Sequence, residues 1–293
     1  MQETKIPCLF CYSTNISMAA FPRPTTFNMK VFSYNQCNDC GLVFINPLPA
    51  TDDYDKMYAK SYHSEFYFKD IPDYSNWLQL FEKYGQEKMV LDYGCGDGAF
   101  LKFFKQKGYD CIGIEYDPEL VARLKTENPG MTFYTVDEFW SINHEVQYDK
   151  IFMGDVLEHM AKPRDFLEKL FIKIKPGGLI AAQGPLENNT SLALRFRKAV
   201  SGLKTSITRS SKAIHIPYHI FFSNAVIQKA IFERTGLSTL YYHVFETAWP
   251  FPARLSIAPG VIFKYLIARS SILVSKITPG QTGNRFLYMG KKK

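Results

Sequence analysis

The chain has 293 residues, 46% of them hydrophobic and 22% charged, with a formal net charge of +7. That is apolar material for one full core plus a small accessory module, and it excludes both a disordered chain and a short disulfide-held scaffold. The charge is unevenly divided: residues 1–187 carry 19 Lys and Arg against 26 Asp and Glu, whereas residues 188–293 carry 16 against only Glu233 and Glu246. A basic last third on an acidic body predicts contact with something anionic, such as a phosphate-bearing substrate, a membrane surface or nucleic acid, with a solvated basic face as the plain alternative. No signal-peptide pattern is present, and the most apolar window, Val261–Ile277, is broken by Lys264, Arg269 and Lys276. A soluble, cytoplasmic protein is expected, with a peripheral membrane contact open through the basic third.

In chain order, residues 1–48 hold turn residues, two short aromatic β-like runs (Met29–Tyr34 and Gly41–Ile45) and the pairs Cys8-x-x-Cys11 and Cys37-x-x-Cys40, separated by 25 residues. Four thiolates in two knuckles suffice for a closed tetrahedral shell around a structural Zn²⁺, and Gly41 after the second pair relieves crowding there. Residues 49–84 are rich in Tyr, Phe and Trp, with Trp77, Leu80, Phe81 and Tyr84 at helical spacing, and read as a helical linker. From residue 85 onward short apolar runs alternate with amphipathic segments: Met89–Tyr93, Ala99–Lys107, Asp110–Tyr116, Glu119–Glu127, Met131–Val136, Lys150–Gly154, Arg164–Ile174 and Leu179–Gln183. This alternation predicts an α/β domain over 85–293, a doubly wound parallel sheet with helices on both faces. The alternation lapses across a basic, Ser-rich insertion at about 188–215, although Leu192–Lys204 keeps helical spacing. It resumes with a helix at Ser223–Thr235, a strand at Leu237–Phe245, a helix at Leu255–Ile277 and a last strand at Asn284–Met289.

The strongest local signal is the run Val90-Leu-Asp92-Tyr-Gly94-Cys-Gly96-Asp97-Gly98, an acid at the end of an apolar strand followed by glycines at alternate positions before a helix. Such a loop turns sharply, lets a ligand approach the backbone and presents unpaired helix N–H groups. A dinucleotide loop reads G-x-G-x-x-G and seats a pyrophosphate, which Asp92 would repel; the acid suits a cationic amino acid moiety instead. Glu115 closes the next strand 23 residues later, where a carboxylate can accept hydrogen bonds from both ribose hydroxyls.

These motifs resemble the core of the class I S-adenosylmethionine-dependent methyltransferases. The likeness also takes in Gly113-Ile-Glu115-Tyr-Asp117, Tyr148-Asp149-Lys-Ile-Phe-Met-Gly-Asp155-Val-Leu-Glu158-His159 and Leu170–Lys175 before Pro176-Gly177-Gly178. The resemblance implies a seven-stranded, mostly parallel sheet and methyl transfer from S-adenosylmethionine. It implies that Asp92, Gly94, Gly96 and Gly98 contact the methionine and ribose, that Glu115 binds the ribose and that Asp137 meets the adenine. Asp155 and the Val156–His159 turn would lie at the cofactor's reactive end. A narrower likeness, carried by Cys37-Asn-Asp-Cys40-Gly-Leu-Val-Phe44-Ile-Asn46-Pro47-Leu-Pro49, is to methyltransferases with an N-terminal zinc ribbon associated with sugar and polysaccharide modification, and it implies a saccharide or a nucleotide- or lipid-linked sugar as acceptor.

The candidate catalytic groups are His219, His159 and Asp155. An imidazole titrating near neutrality can take a proton from an attacking hydroxyl, and His215 and His219 precede the aromatic pair Phe221-Phe222; each histidine can equally be a structural hydrogen-bonding residue. The basic insertion, with Arg195, Arg197 and Lys198, can serve as a lid over a phosphate-bearing acceptor or as an interfacial helix. Two other functions fit less well. An RNA methyltransferase could use the ribbon and basic third on phosphates, yet the base-holding N/D-P-P-Y/F motif and a Pro-Cys nucleophile pair are absent, so nucleic acid is the weaker partner. A non-catalytic partner-binding protein would not need the glycine loop and Glu115.

Overall fold

The computed structural model describes residues 6–58, 73–142, 146–208, 216–249, 251–255 and 258–293. The ribbon region forms an antiparallel sheet of β1 (Ile16–Met18), β2 (Thr25–Phe27), β3 (Lys30–Cys37) and β4 (Val43–Asn46). The chain then forms α1 (Thr51–Met57) and α2 (Ser75–Tyr84), the latter burying Trp77 and Phe81. The main domain follows as β5 (Met89–Tyr93), α3 (Ala99–Gln106), β6 (Asp110–Glu115), α4 (Pro118–Glu127), β7 (Thr132–Thr135), α5 (Val136–Ser141), β8 (Tyr148–Gly154), a 3₁₀ turn (Leu157–His159), α6 (Pro163–Ile172) and β9 (Ile174–Pro185). After β9 come α7 (Leu192–Thr208), β10 (Phe221–Phe222), α8 (Ala225–Glu233), β11 (Leu237–Phe245), α9 (Pro259–Ile277) and β12 (Arg285–Lys292).

The main sheet has seven strands in the order β11-β12-β9-β8-β5-β6-β7. β5 to β9 pair in parallel, and β12 runs antiparallel between β9 and β11. Helices cover both faces, so the central strands have no wet side: residues 148–153 of β8 are all buried. On one face Trp77, Phe81, Phe100, Leu101 and Phe104 pack against Val90 and Cys111. On the other, Phe139, Leu167, Leu170, Ile231 and Phe232 pack against Leu91 and Ile151. The chain winds outward from β5 through β6 to β7 and then returns to the far side of β5 as β8. This reversal leaves a crevice at the carboxyl ends of β5 and β8, the place where open α/β sheets take their ligands.

Two features refine the sequence reading. The ribbon is not a free-standing body: β10, from the far part of the chain, adds to β4 with Phe221 opposite Phe44, and Cys8, Phe10, Cys37 and Phe44 share a core with Leu91 and Ile231. The basic insertion is a helix through residue 208 and lies against α9. Ser191 and Ser271 from the two arms both donate to the buried carboxylate of Glu246. α9 begins at Pro259 rather than Leu255, since proline's fixed φ and missing N–H suit the first helical turn. His215 and residues 209–214 of the insertion lie outside the described residues.

Candidate active site

The loop after β5 has the backbone that its glycines foretell. Gly94, Gly96 and Gly98 take φ values of +78°, +53° and +75°. At Gly94 a side chain is excluded twice, because a Cβ would also lie 2.6 Å from Val156 Cγ2. The N–H groups of Gly94 and Cys95 donate to the Ile114 carbonyl at 2.8 and 2.9 Å, which ties the loop to β6. The Gly96 N–H donates to Glu115 Oε2 at 2.8 Å, and the Tyr116 N–H donates to Oε1 at 2.7 Å. Both carboxylate oxygens of Glu115 are thus fixed at the mouth of the crevice with lone pairs to spare. Asp92 is buried, and burial, followed by the negative charges of Glu115 and Asp97, pushes its carboxyl well above the usual range. A cationic ligand would relieve that repulsion. Asp137 is exposed in the first turn of α5, at the carboxyl end of β7.

A second group of side chains stands beside this loop, linked to it through Val156. Asp155 holds a left-handed backbone, φ +55°, and accepts two hydrogen bonds of 2.7 Å from Arg285. A non-glycine residue in that region costs on the order of 1 kcal/mol and persists only where its surroundings hold it, here through the ion pair in which one Arg285 nitrogen reaches both carboxylate oxygens. Glu158 and His159 follow on the 3₁₀ turn. His159 Nδ1 lies 2.8 Å from the Tyr218 carbonyl and 2.7 Å from the Tyr58 hydroxyl, and its Nε2 lies 4.0 Å from Glu158 Oε1. The His219 ring stands 5.0 Å from that of His159, and its Nδ1 is hydrogen-bonded to Glu187 Oε2. Arg197, from the insertion helix, reaches within 3.9 Å of Glu187 Oε1. Tyr58 and Tyr116 close the row, with ring centroids 5.9 Å apart, and Tyr116 donates to Asp55 on α1.

These groups set one another's protonation. His159 is held down to about 4 by burial and then by the neighbouring His219, so it is a neutral imidazole. For His219, which is half-buried, partial desolvation opposes protonation, but Glu187 beside it raises it to about 9. Glu187 is correspondingly lowered, its burial outweighed by His219. Glu158, desolvated and near Asp155, rises to about 8.

In the ribbon, the four cysteine sulfurs lie within 4.8 Å of one another, with Cys8 to Cys40 at 3.6 Å and Cys11 to Cys37 at 3.5 Å. Tetrahedral thiolates around zinc, with Zn–S of about 2.3 Å, stand about 3.8 Å apart, so the donors fit that ion. The Cys8 thiol is lowered to about 5 by Cys40 and, against its burial, by the backbone of Cys11 and Phe10, while Cys40 is raised by Cys8 and Cys11 by burial.

Of the residues singled out in the sequence, Asp92, the three glycines and Glu115 meet around one loop, Asp155, His159 and His219 meet beside it, and the four cysteines meet in the ribbon. Sequence reasoning missed Glu187, Arg285, Tyr58 and the part Glu158 plays. Glu187 could have been found, since it directly follows β9 and so falls at the carboxyl edge of the sheet.

Comparison with known proteins agrees with this geometry. A family model described as a methyltransferase domain matches residues 63–240. A ubiquinone biosynthesis O-methyltransferase of Cronobacter sakazakii is 25% identical over 189 residues, 61% of this chain and 73% of that protein. The counterpart in Pectobacterium atrosepticum is 32% identical over 96 residues, 31% of this chain and 40% of its own length. In fold the chain resembles one in the solved complex of the Haloferax volcanii Trm112 methyltransferase activator with a methyltransferase: TM-score 0.51, 17% identity, 73% of this chain and 86% of that one. With its sheet order, glycine loop and matched domain, this chain belongs to the methyltransferase-domain family and is an S-adenosylmethionine-dependent methyltransferase.

Proposed function

We propose that the protein methylates a hydroxyl of a small-molecule acceptor, and that His219, oriented by Glu187, handles the hydroxyl proton. The observation that carries this reading is the His219–Glu187 pair itself, a half-buried imidazole hydrogen-bonded to a buried carboxylate. In the proposed assignment Asp92, Gly94, Gly96, Gly98 and Asp155 line the methionine part of S-adenosylmethionine, Glu115 takes the ribose hydroxyls and Asp137 the adenine. The cofactor supplies an already activated methyl on a sulfonium, so the chain's task is to hold the acceptor oxygen in line and exclude water. As the new oxygen–carbon bond replaces the carbon–sulfur bond, the hydroxyl proton passes to Nε2 of His219 in its neutral form, whose share grows as pH rises toward 9, while its Nδ1–H stays hydrogen-bonded to the Glu187 carboxylate. Tyr58 and Tyr116 form an aromatic wall against which a ring can lie.

For the acceptor class, we favour a saccharide or a nucleotide- or lipid-linked sugar. Arg197 beside Glu187 is placed to meet a phosphate or other acidic group. Phe263, Leu266, Leu273 and Ile277 are exposed on α9 between Lys264, Arg269 and Lys276, a surface suited to the headgroup region of a membrane that carries a lipid-linked acceptor. No helix among the described residues is long and apolar enough to cross a membrane. The ribbon cysteines Cys8, Cys11, Cys37 and Cys40 are proposed to hold a structural Zn²⁺ with no open position for chemistry.

The test is transfer of a labelled methyl from S-adenosylmethionine to a panel of nucleotide sugars, lipid-linked saccharides and phenols by wild type and His219→Ala. The expected result is one O-methylated class in the panel, with turnover reduced at least ~100-fold in the variant while binding of S-adenosylhomocysteine persists. Methylation at nitrogen or carbon, or full turnover in the variant, contradicts the reading.

A further inference from the structure

Glu158, His159 and His219 form a cluster that proton transfer alone does not explain. One ligand atom from each lies within 4.8 Å of the other two. Both imidazoles have Nδ1 committed elsewhere, His159 to the Tyr218 carbonyl and His219 to the Glu187 carboxylate, which leaves each Nε2 as the remaining donor. A carbonyl or carboxylate on the far nitrogen is the outer-shell arrangement that orients metal-bound histidines. Glu158 Oε1 is buried and has no hydrogen-bond partner among the described residues, and it faces His159 Nε2 at 4.0 Å. A buried carboxylate oxygen left unpaired costs a few kcal/mol in general, and a cation removes that cost. Cys95 and Cys111, the cysteines outside the ribbon, do not contribute, so the donor set is two imidazole nitrogens and one carboxylate oxygen.

We infer that Glu158, His159 and His219 bind one divalent cation of the manganese-to-zinc series at the acceptor end of the crevice. Two imidazole nitrogens, that of His219 losing its proton on binding, and one carboxylate oxygen suit a borderline ion rather than calcium or a thiolate-loving metal, and three protein ligands leave coordination positions open. Bonds of about 2.1 Å draw the three side chains inward by roughly an ångström. An acceptor with neighbouring oxygens would chelate such an ion through the open positions, and the ion would acidify its hydroxyl. The inference rests on the methyltransferase reading only for this last consequence. With the ion bound, His219 would serve as a ligand and the hydroxyl proton would leave to solvent instead.

Manganese separates this site from the ribbon, since four thiolates favour zinc. Zinc-loaded protein freed of loosely held cations is titrated with Mn²⁺ and followed by the loss of the free ion's electron paramagnetic resonance signal. S-adenosylhomocysteine binding is measured on the same samples. The expected result is one Mn²⁺ per chain, weakened at least ~10-fold in Glu158→Gln, His159→Ala and His219→Ala, a loss of about 1.4 kcal/mol each, with S-adenosylhomocysteine affinity retained. Folded wild type that binds S-adenosylhomocysteine but no Mn²⁺ overturns the inference, as does binding that all three variants keep. Failure to bind S-adenosylhomocysteine beside intact Mn²⁺ binding would count against the cofactor assignment and not against the metal site.

Discussion

At the scale of single residues, the site is organised by pairs that few sequence rules connect. Gly94, Gly96 and Gly98 were legible because alternate glycines after an apolar strand announce positive φ, and Glu115 was legible as the acid closing the next strand. Arg285 was not, because it stands 130 positions from Asp155 and meets it only once the chain is folded back through an antiparallel strand. Glu187 and His219 stand 32 positions apart and meet because β9 and the segment before β10 end at the same edge. Their charge coupling gives a titration with a definite sign. The folded-state pKa of His219 is raised to about 9, so its ion pair stabilises the protein fully below the unfolded imidazole value of about 6.5 and the contribution is lost as pH rises through 9. In cation-free protein, nuclear magnetic resonance should show the His219 imidazole titrating near 9. Glu187→Gln should bring it down by about one unit or more, since burial alone lowers it. An unchanged titration in the variant would show that Glu187 does not set the charge of His219.

At the scale of elements, the ribbon and the segment next to His219 share a sheet. β4 holds Phe221 and Phe222 opposite Phe44 and Val43, and the Ile45 N–H donates to the Ile220 carbonyl at 2.9 Å, one residue beyond His219. The Ile220 N–H in turn donates to the Glu158 carbonyl at 2.7 Å. The cysteine knuckles therefore brace the short strand that follows His219. The spacing of the cysteines foretold the metal-ready cluster, but a two-residue strand borrowed from the far end of the chain leaves no periodic signal. Cys8→Ser with Cys40→Ser, which leaves the ribbon without a closed thiolate shell, should speed hydrogen exchange at Val43–Ile45 and Ile220–Phe222 at least ~10-fold. S-adenosylhomocysteine binding should stay within about twofold, because the glycine loop hangs from β5 and β6. Exchange unchanged in both segments would separate the ribbon from the site.

At the scale of the whole molecule, the doubly wound sheet decides where chemistry can occur. Reversal of the chain at β5 opens one crevice, and the anionic body lines it with Asp92, Asp97, Glu115 and Asp155, a field suited to a cofactor that is cationic at both its amino group and its sulfur. The basic last third contributes Arg197 beside Glu187 and Arg285 on Asp155. Alternation of apolar runs made the sheet readable from the sequence. The insertion was harder to place, because helical spacing alone does not tell what a helix leans on, and here it leans on α9 through the Ser191–Glu246–Ser271 node.

The central claim is that this crevice binds S-adenosylmethionine through the glycine loop and Glu115, and calorimetric titration with S-adenosylmethionine and S-adenosylhomocysteine tests it most directly. The account predicts micromolar affinity for both in wild type and losses of at least ~10-fold, about 1.4 kcal/mol, in Gly94→Ala and Glu115→Ala. The first variant meets Val156 at 2.6 Å, and the second removes the acceptor held by Gly96 and Tyr116. A folded wild-type protein that binds neither compound, or variants that bind as tightly as wild type, would contradict it.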